Sequence, residues 1–193
     1  MNMPEPLAQP ASPDRSEEIL VLVRSAFAEK GFDGASMRDL ARAAGMSVGN
    51  FYRYFPSKDA IIAAMAAHDM DEMDADFADI RLSDNPLPLI REKIRLKIEG
   101  CAERGRLWAE ITAAAQRKPE IARISSGVED MVAHNMVLVF ARLSGLSPEK
   151  AQAQFGAQVR FIILLVKSAT MRHASQPDPA VEALVLKTTD DTL

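Results

Sequence analysis

Between positions 36 and 58 four cations, Arg38, Arg42, Arg53 and Lys58, stand against one acid, Asp39, giving this stretch a net charge of +3 in a chain of net charge −4. Cations gathered on short helices can neutralise phosphates, and the polar residues threaded among them can read base edges. Asn50 can pair bidentately with adenine, and Val48 can touch a thymine methyl. Gly49, between them, has no side chain to hold the backbone away from a duplex. The flanking sequence is acidic, −3 over residues 1–35 and −4 over residues 59–193, so the positive charge is local.

Catalytic chemistry has no comparable cluster. The sequence contains no Gly-rich phosphate loop, GxSxG elbow, HExxH or paired-carboxylate motif, so an enzyme is not expected. His68, His134 and His173 lack the paired spacing of metal ligands, and neither a metal nor another cofactor is expected. Cys101 is the only cysteine; it can form no disulfide within the chain and is read as a plain buried thiol. The acidic run Asp69, Asp71, Glu72, Asp74, Asp76, Asp79 reads as a solvated helix face, with attraction of a cation as the alternative.

The elements that must position the basic stretch are short helices. Ile19, Leu20, Val23, Ala26 and Phe27 recur at helical spacing and predict an amphipathic helix over 15–29. Ser36 followed by Asp39 resembles a capping box, and Met37, Leu40, Ala41 and Ala44 form the stripe of a second helix that Gly45 stops. Ser47 caps a third helix to about Tyr54, Pro56 interrupts it, and Ser57 caps a fourth. Two short helices about a Gly-containing turn form the helix-turn-helix pattern, whose second helix enters a major groove. Phe51 and Phe55, four residues apart, face its core.

Further helices are predicted over 57–80, 86–103, 106–117, 119–144, 147–173 and 178–189, with Asn85-Pro86, Gly105, Pro119, Gly145 and Pro177 as boundaries. Gln154–Met171 is apolar nearly all round, so one face is expected on the chain's own core and the other on a second copy, with Gly156 and Ala157 allowing close approach there. The Pro-rich opening residues read as a disordered arm without the cations of a minor-groove arm. No charged n-region precedes an apolar segment, and the apolar run Phe161–Val166 is far short of the roughly 20 residues that cross a bilayer. A soluble, cytoplasmic protein is expected, with no membrane partner.

The string from Met37-Arg38-Asp39-Leu40-Ala41 through Ser47-Val48-Gly49-Asn50-Phe51-Tyr52-Arg53-Tyr54-Phe55-Pro56-Ser57-Lys58 to Ile61 closely resembles the DNA-binding signature of the tetracycline-repressor (TetR) family. With Gly31-Phe32 and the preceding helix, the similarity covers residues 15–62; Leu107-Trp108-Ala109-Glu110 also matches, and Tyr54 departs from the His of many relatives. The resemblance implies phosphate contacts for Tyr52, Tyr54 and Lys58. Ser36, Arg38, Ser47, Val48, Gly49, Asn50 and Arg53 complete the candidate DNA-binding set.

It also implies an all-α fold: an arm over 1–14, an N-terminal three-helix helix-turn-helix domain over 15–62, and a C-terminal helical ligand-binding and dimerisation domain over 63–193. The implied function is a repressor that binds a palindromic, double-stranded operator as a homodimer and is released by a small, largely apolar effector. An architectural or division factor of the same fold, without an effector, is the alternative. Bulky side chains on inner helix faces are the candidate cavity lining: Trp108, Ile111, Met131, His134 and Phe155, with Met136 and Phe140 beside them.

Overall fold

Three serines set where three of the first four helices begin. In the computed structural model, which describes residues 13–100 and 102–192, helix α1 (Pro13–Lys30) is followed by α2 (Met37–Ala43), α3 (Val48–Tyr54) and α4 (Lys58–Leu82). The Ser36 hydroxyl accepts from Asp39 N–H at 3.2 Å while the Asp39 carboxylate accepts from Ser36 N–H at 3.1 Å, closing the capping box. Ser47 accepts from Asn50 N–H and Ser57 from Ala60 N–H, so α3 and α4 are capped as their sequences predict. Between α2 and α3 the chain reverses at Gly45, whose φ of +65° a residue with a Cβ adopts only under strain. Most of the opening arm, and Cys101, lie outside the described residues; Pro13 and Asp14, assigned to the arm from sequence, belong to α1.

The first hydrophobic core does not close within these helices. Ile19, Val23 and Phe27 of α1, Leu40 and Ala41 of α2, Phe51 of α3 and Ile61 and Met65 of α4 pack with Leu107, Ile111 and Ala114 of α6 (Ala102–Ala115) and Ile121 of α7 (Pro119–Ser144). Phe32, between α1 and α2, stacks on Phe27 at 5.8 Å between ring centres.

The second core joins Phe77 and Ile80 of α4, Ile90 of α5 (Pro86–Ile98), Met136, Val137 and Phe140 of α7, and Ala151, Val159 and Ile162 of α8 (Pro148–Ser175). Helix α9 (Pro179–Thr192) completes the order, and no strand occurs among the described residues. None of the described helices is long and apolar enough to cross a membrane.

Two glycines differ from their expected roles. Gly105 is no boundary: α5 stops at Ile98, and Gly105 lies inside α6, where a Cβ would come within 2.5 Å of the Thr170 carbonyl oxygen and of Ala174 Cβ on α8. The absent side chain lets two helices cross closely. Gly156 is buried beside Gln152 on its own helix rather than on the exposed strip of α8. That strip presents Phe161 and Leu164, 47% and 59% exposed; on α9, Leu184 is 62% exposed.

Candidate functional site

Helix α3 buries Phe51 and turns Val48, Gly49, Asn50, Tyr52 and Arg53 outward; Ser36, Arg38 and Ser47 are also exposed, while Tyr54 and Lys58 are half-buried. A Cβ built on Gly49 meets nothing within 4 Å, so this glycine has no packing role inside the chain. Its bare surface faces outward beside Val48 and Asn50.

The one acid in the basic stretch is already occupied. Lys30 Nζ donates to Asp39 Oδ1 at 2.7 Å, and together with the bonds from the Ser36 hydroxyl and amide this holds the Asp39 carboxyl well below the usual carboxylate range. Among the described residues Arg38 and Arg53 form no ion pair, so their charge is free to act on solvent. Lys58 is different from its expected state. Its amine donates to the carbonyls of Phe32 at 2.6 Å and Asp33 at 3.3 Å and lies 4.9 Å from the Phe32 ring centre, leaving one of its three N–H directions for a phosphate.

Helix α6 and the turn after it hold this loop and the start of α4 from the other side. Glu110 Oε2 accepts from Phe32 N–H at 2.9 Å, Arg117 pairs with Asp33 at 2.6 Å, and Lys118 pairs with Asp59 at 3.3 Å. Gly31 makes the first contact possible: its φ is +74°, and a Cβ there would stand 2.7 Å from Glu110 Oε2.

At its other end α6 borders a partly open cavity of about 350 Å³ formed with α4, α5, α7 and α8. Phe77, Ile80, Ile90, Met136 and Ile162 supply apolar wall beside Trp108. Of the residues proposed from sequence for such a wall, Trp108 and Met136 line it. The others do not. Ile111 belongs to the first core and borders only a void of about 20 Å³; Met131 is half-buried, with its sulfur against Asn135 Nδ2. His134 is exposed, and Phe155 packs on Phe140 at 5.5 Å. Size selected these residues, whereas helical phase decides: on α7 the lining positions are Val128, Glu129, Val132 and Met136.

Phase also corrects the reading of the acidic run. Asp69, Glu72, Met73, Asp76, Phe77 and Ile80 form one stripe of α4 that faces the cavity, while Asp71, Asp74 and Asp79 are exposed. Asp69 pairs with Arg24 of α1 at 2.5 Å, Asp76 with Lys93 of α5, and Glu129 with Lys167 of α8 at 2.7 Å; Glu72 lies 3.5 Å from His68. Lys97 and Arg104 also line the cavity, and among the described residues neither forms an ion pair or a side-chain hydrogen bond. Burial pushes the Lys97 amine below its ordinary pKa and the nearby Arg104 charge adds to this, against the opposing pull of Asp69 and Glu72. Nothing in the local sequence around Lys97 or Arg104 marks them, since both stand in ordinary amphipathic helices.

The profile of the family described as "Bacterial regulatory proteins, tetR family" matches residues 19–65. The chain is 35% identical over 85 residues to the HTH-type transcriptional regulator RutR of Escherichia coli (strain K12), a match covering 44% of this chain and 40% of that relative's length. It is 28% identical over 185 residues to the HTH-type transcriptional regulator EthR of Mycolicibacterium smegmatis, covering 92% of this chain and 84% of EthR. Among solved structures, Salmonella enterica GusR superposes with a TM-score of 0.70 at 22% identity over 95% of this chain and 97% of its own.

Proposed function

Because the chain belongs to the tetR family of bacterial regulatory proteins, we propose that it is a cytoplasmic, non-enzymatic repressor that binds a palindromic operator as a homodimer and is released when a small molecule fills the cavity. In this reading residues 15–62 carry DNA recognition and residues 63–193 carry the effector site and the dimer contact. The observation that carries the DNA assignment is the empty space around Gly49, flanked by exposed Val48 and Asn50 on a capped helix. A glycine in a helix costs about 1 kcal/mol relative to alanine, and no contact within the chain accounts for it here. Close approach of α3 to a major groove does.

Phe161, Leu164 and Leu184 support the homodimer, since they are exposed apolar side chains on the last two helices that a second copy would cover. A cavity bordered both by α4, which begins behind α3, and by α6, which holds the loop before α2, supports effector release. A DNA-organising factor without an effector would leave this cavity without a use.

The test is binding to duplexes selected from a random pool, followed over a range of salt. Asn50→Ala should relax preference at one base pair in each half-site, costing about 1–3 kcal/mol of discrimination, with little change in the salt slope. Arg38→Ala should weaken all sequences alike and lower the slope by roughly one per lost phosphate contact. Failure of any sequence to enrich would overturn the DNA assignment. A cavity ligand that changes operator affinity by less than about twofold would overturn effector release alone.

A further inference from the structure

We propose that the cavity takes an organic anion, its acidic head held between Lys97 and Arg104 and its apolar body laid against Phe77, Ile80, Ile90 and Ile162. This rests on the reading of the cavity as the effector site and adds the charge class of the effector.

The charges around the cavity divide into those already satisfied and those that are not. Asp69, Asp76 and Glu129 each have a cation of the chain against them: Arg24, Lys93 and Lys167. Glu72 has His68 beside it. A cationic occupant at Asp69, Asp76 or Glu129 would have to displace one of these partners, while at Glu72, whose side chain is 61% exposed, it would meet mostly solvent. The aromatic platform that would attract it is also taken, because the Lys167 amine stands 6.0 Å from the ring centre of Trp108.

Lys97 and Arg104 are in the opposite condition. They come from consecutive helices, α5 and α6, and face the same space without an ion-pair partner among the described residues. Two like charges beside an apolar wall disfavour each other, and an anion placed between them turns that repulsion into two attractions. The Thr170 hydroxyl, also on the cavity wall, shares its one proton between the Val166 carbonyl at 2.9 Å and the Lys97 carbonyl at 3.3 Å, which links the backbone of the last turn of α5 to α8. Beside the paired charges, Phe77 and Ile80 of α4, Ile90 of α5 and Ile162 of α8 supply apolar wall, which a bare inorganic anion would leave uncovered.

Three probes with the same tail separate head-group charge from tail burial: decanoate, decanol and decyltrimethylammonium, titrated calorimetrically into the full chain. Decanoate should bind at least about tenfold tighter than decanol, the scale of one charge-assisted contact, and the cation should bind weakest. In the Lys97→Met/Arg104→Gln double variant the advantage of decanoate over decanol should disappear while decanol binding stays unchanged, with thermal melting confirming the fold. Equal binding of decanoate and decanol, tightest binding of the cation, or an advantage that survives the double substitution would each overturn the anion assignment and leave the effector cavity standing. Binding of none of the three would overturn the effector cavity itself, and this assignment with it.

Discussion

The guanidinium of Arg24, on the helix that precedes the proposed DNA-binding pair, meets the carboxylate of Asp69 at 2.5 Å, and Asp69 also forms part of the cavity wall. Both side chains are less than a fifth exposed. One ion pair therefore touches the recognition half on one side and the cavity space on the other.

Asp69→Asn leaves Arg24 charged, largely shielded from water and without its partner, and should lower stability by roughly 1–3 kcal/mol. The Arg24→Gln/Asp69→Asn double variant should lose less than the two single losses combined, with a coupling energy of at least about 0.5 kcal/mol in a double-mutant cycle measured by urea unfolding. In the single variants, the effect of decanoate on operator affinity should shrink. A coupling energy of zero would remove this pair from the link between the two halves.

Gly31 and Gly45 both adopt positive φ, but only Gly31 has a neighbour where its Cβ would be. Alanine at either position should cost about 1–2 kcal/mol for the backbone conformation alone. Gly31→Ala should cost more than Gly45→Ala, because it also displaces Glu110 from the Phe32 amide. Adding Glu110→Ala to Gly31→Ala should then cost little further. Thermal unfolding of the three variants checks this, and equal losses for the two glycines would exclude a structural role for the Glu110 contact.

Gly49→Ala should raise thermal stability, by up to about 1 kcal/mol, because nothing obstructs the added methyl. The same substitution should weaken specific DNA binding. Gly127 on α7 is the control: it too has open space around its Cβ position, so Gly127→Ala should stabilise similarly and leave DNA binding unchanged. Melting curves and operator titrations separate the two effects, and unchanged operator affinity in Gly49→Ala would exclude close approach of α3.

Leu164 and Val166 stand two residues apart on α8 with different surroundings. Leu164 is exposed and Val166 lines the cavity. Leu164→Glu should convert the dimer to a folded monomer by light scattering, whereas Val166→Glu should reduce stability through the subunit's own interior. A dimer of undiminished strength in Leu164→Glu would place the interface elsewhere.

The parts of the fold legible in sequence are those determined within one turn of chain. Ser36, Ser47 and Ser57 cap the helices they precede, and Pro119 stands in the first turn of α7. Gly105 was unreadable because a glycine that stops a helix and one that lets two helices cross look alike until Thr170 and Ala174 are seen opposite. Candidate DNA contacts such as Asn50 were legible because α3 carries its buried and exposed residues in a compact local pattern. The cavity was not. Asp69 and Asp76 look solvated until Arg24 and Lys93 arrive from other helices, and the exposed His134 shows that bulk without phase does not place a side chain on a wall.

The close crossing at Gly105 makes α6 and α8 a single lever. Arg104 and Trp108 on one arm touch the cavity, and Phe161 and Leu164 on the other form the strip proposed to meet a second copy. If a second copy covers that strip, a displacement produced by an occupant in one subunit would be handed to its twin through the shared seam, and the two cavities of the dimer would not be independent. Ligand titration of the dimer should give a Hill coefficient different from one, and Gly105→Ala, by prying the lever apart, should return it toward one; a coefficient of one in the unaltered protein would mean that the lever slips.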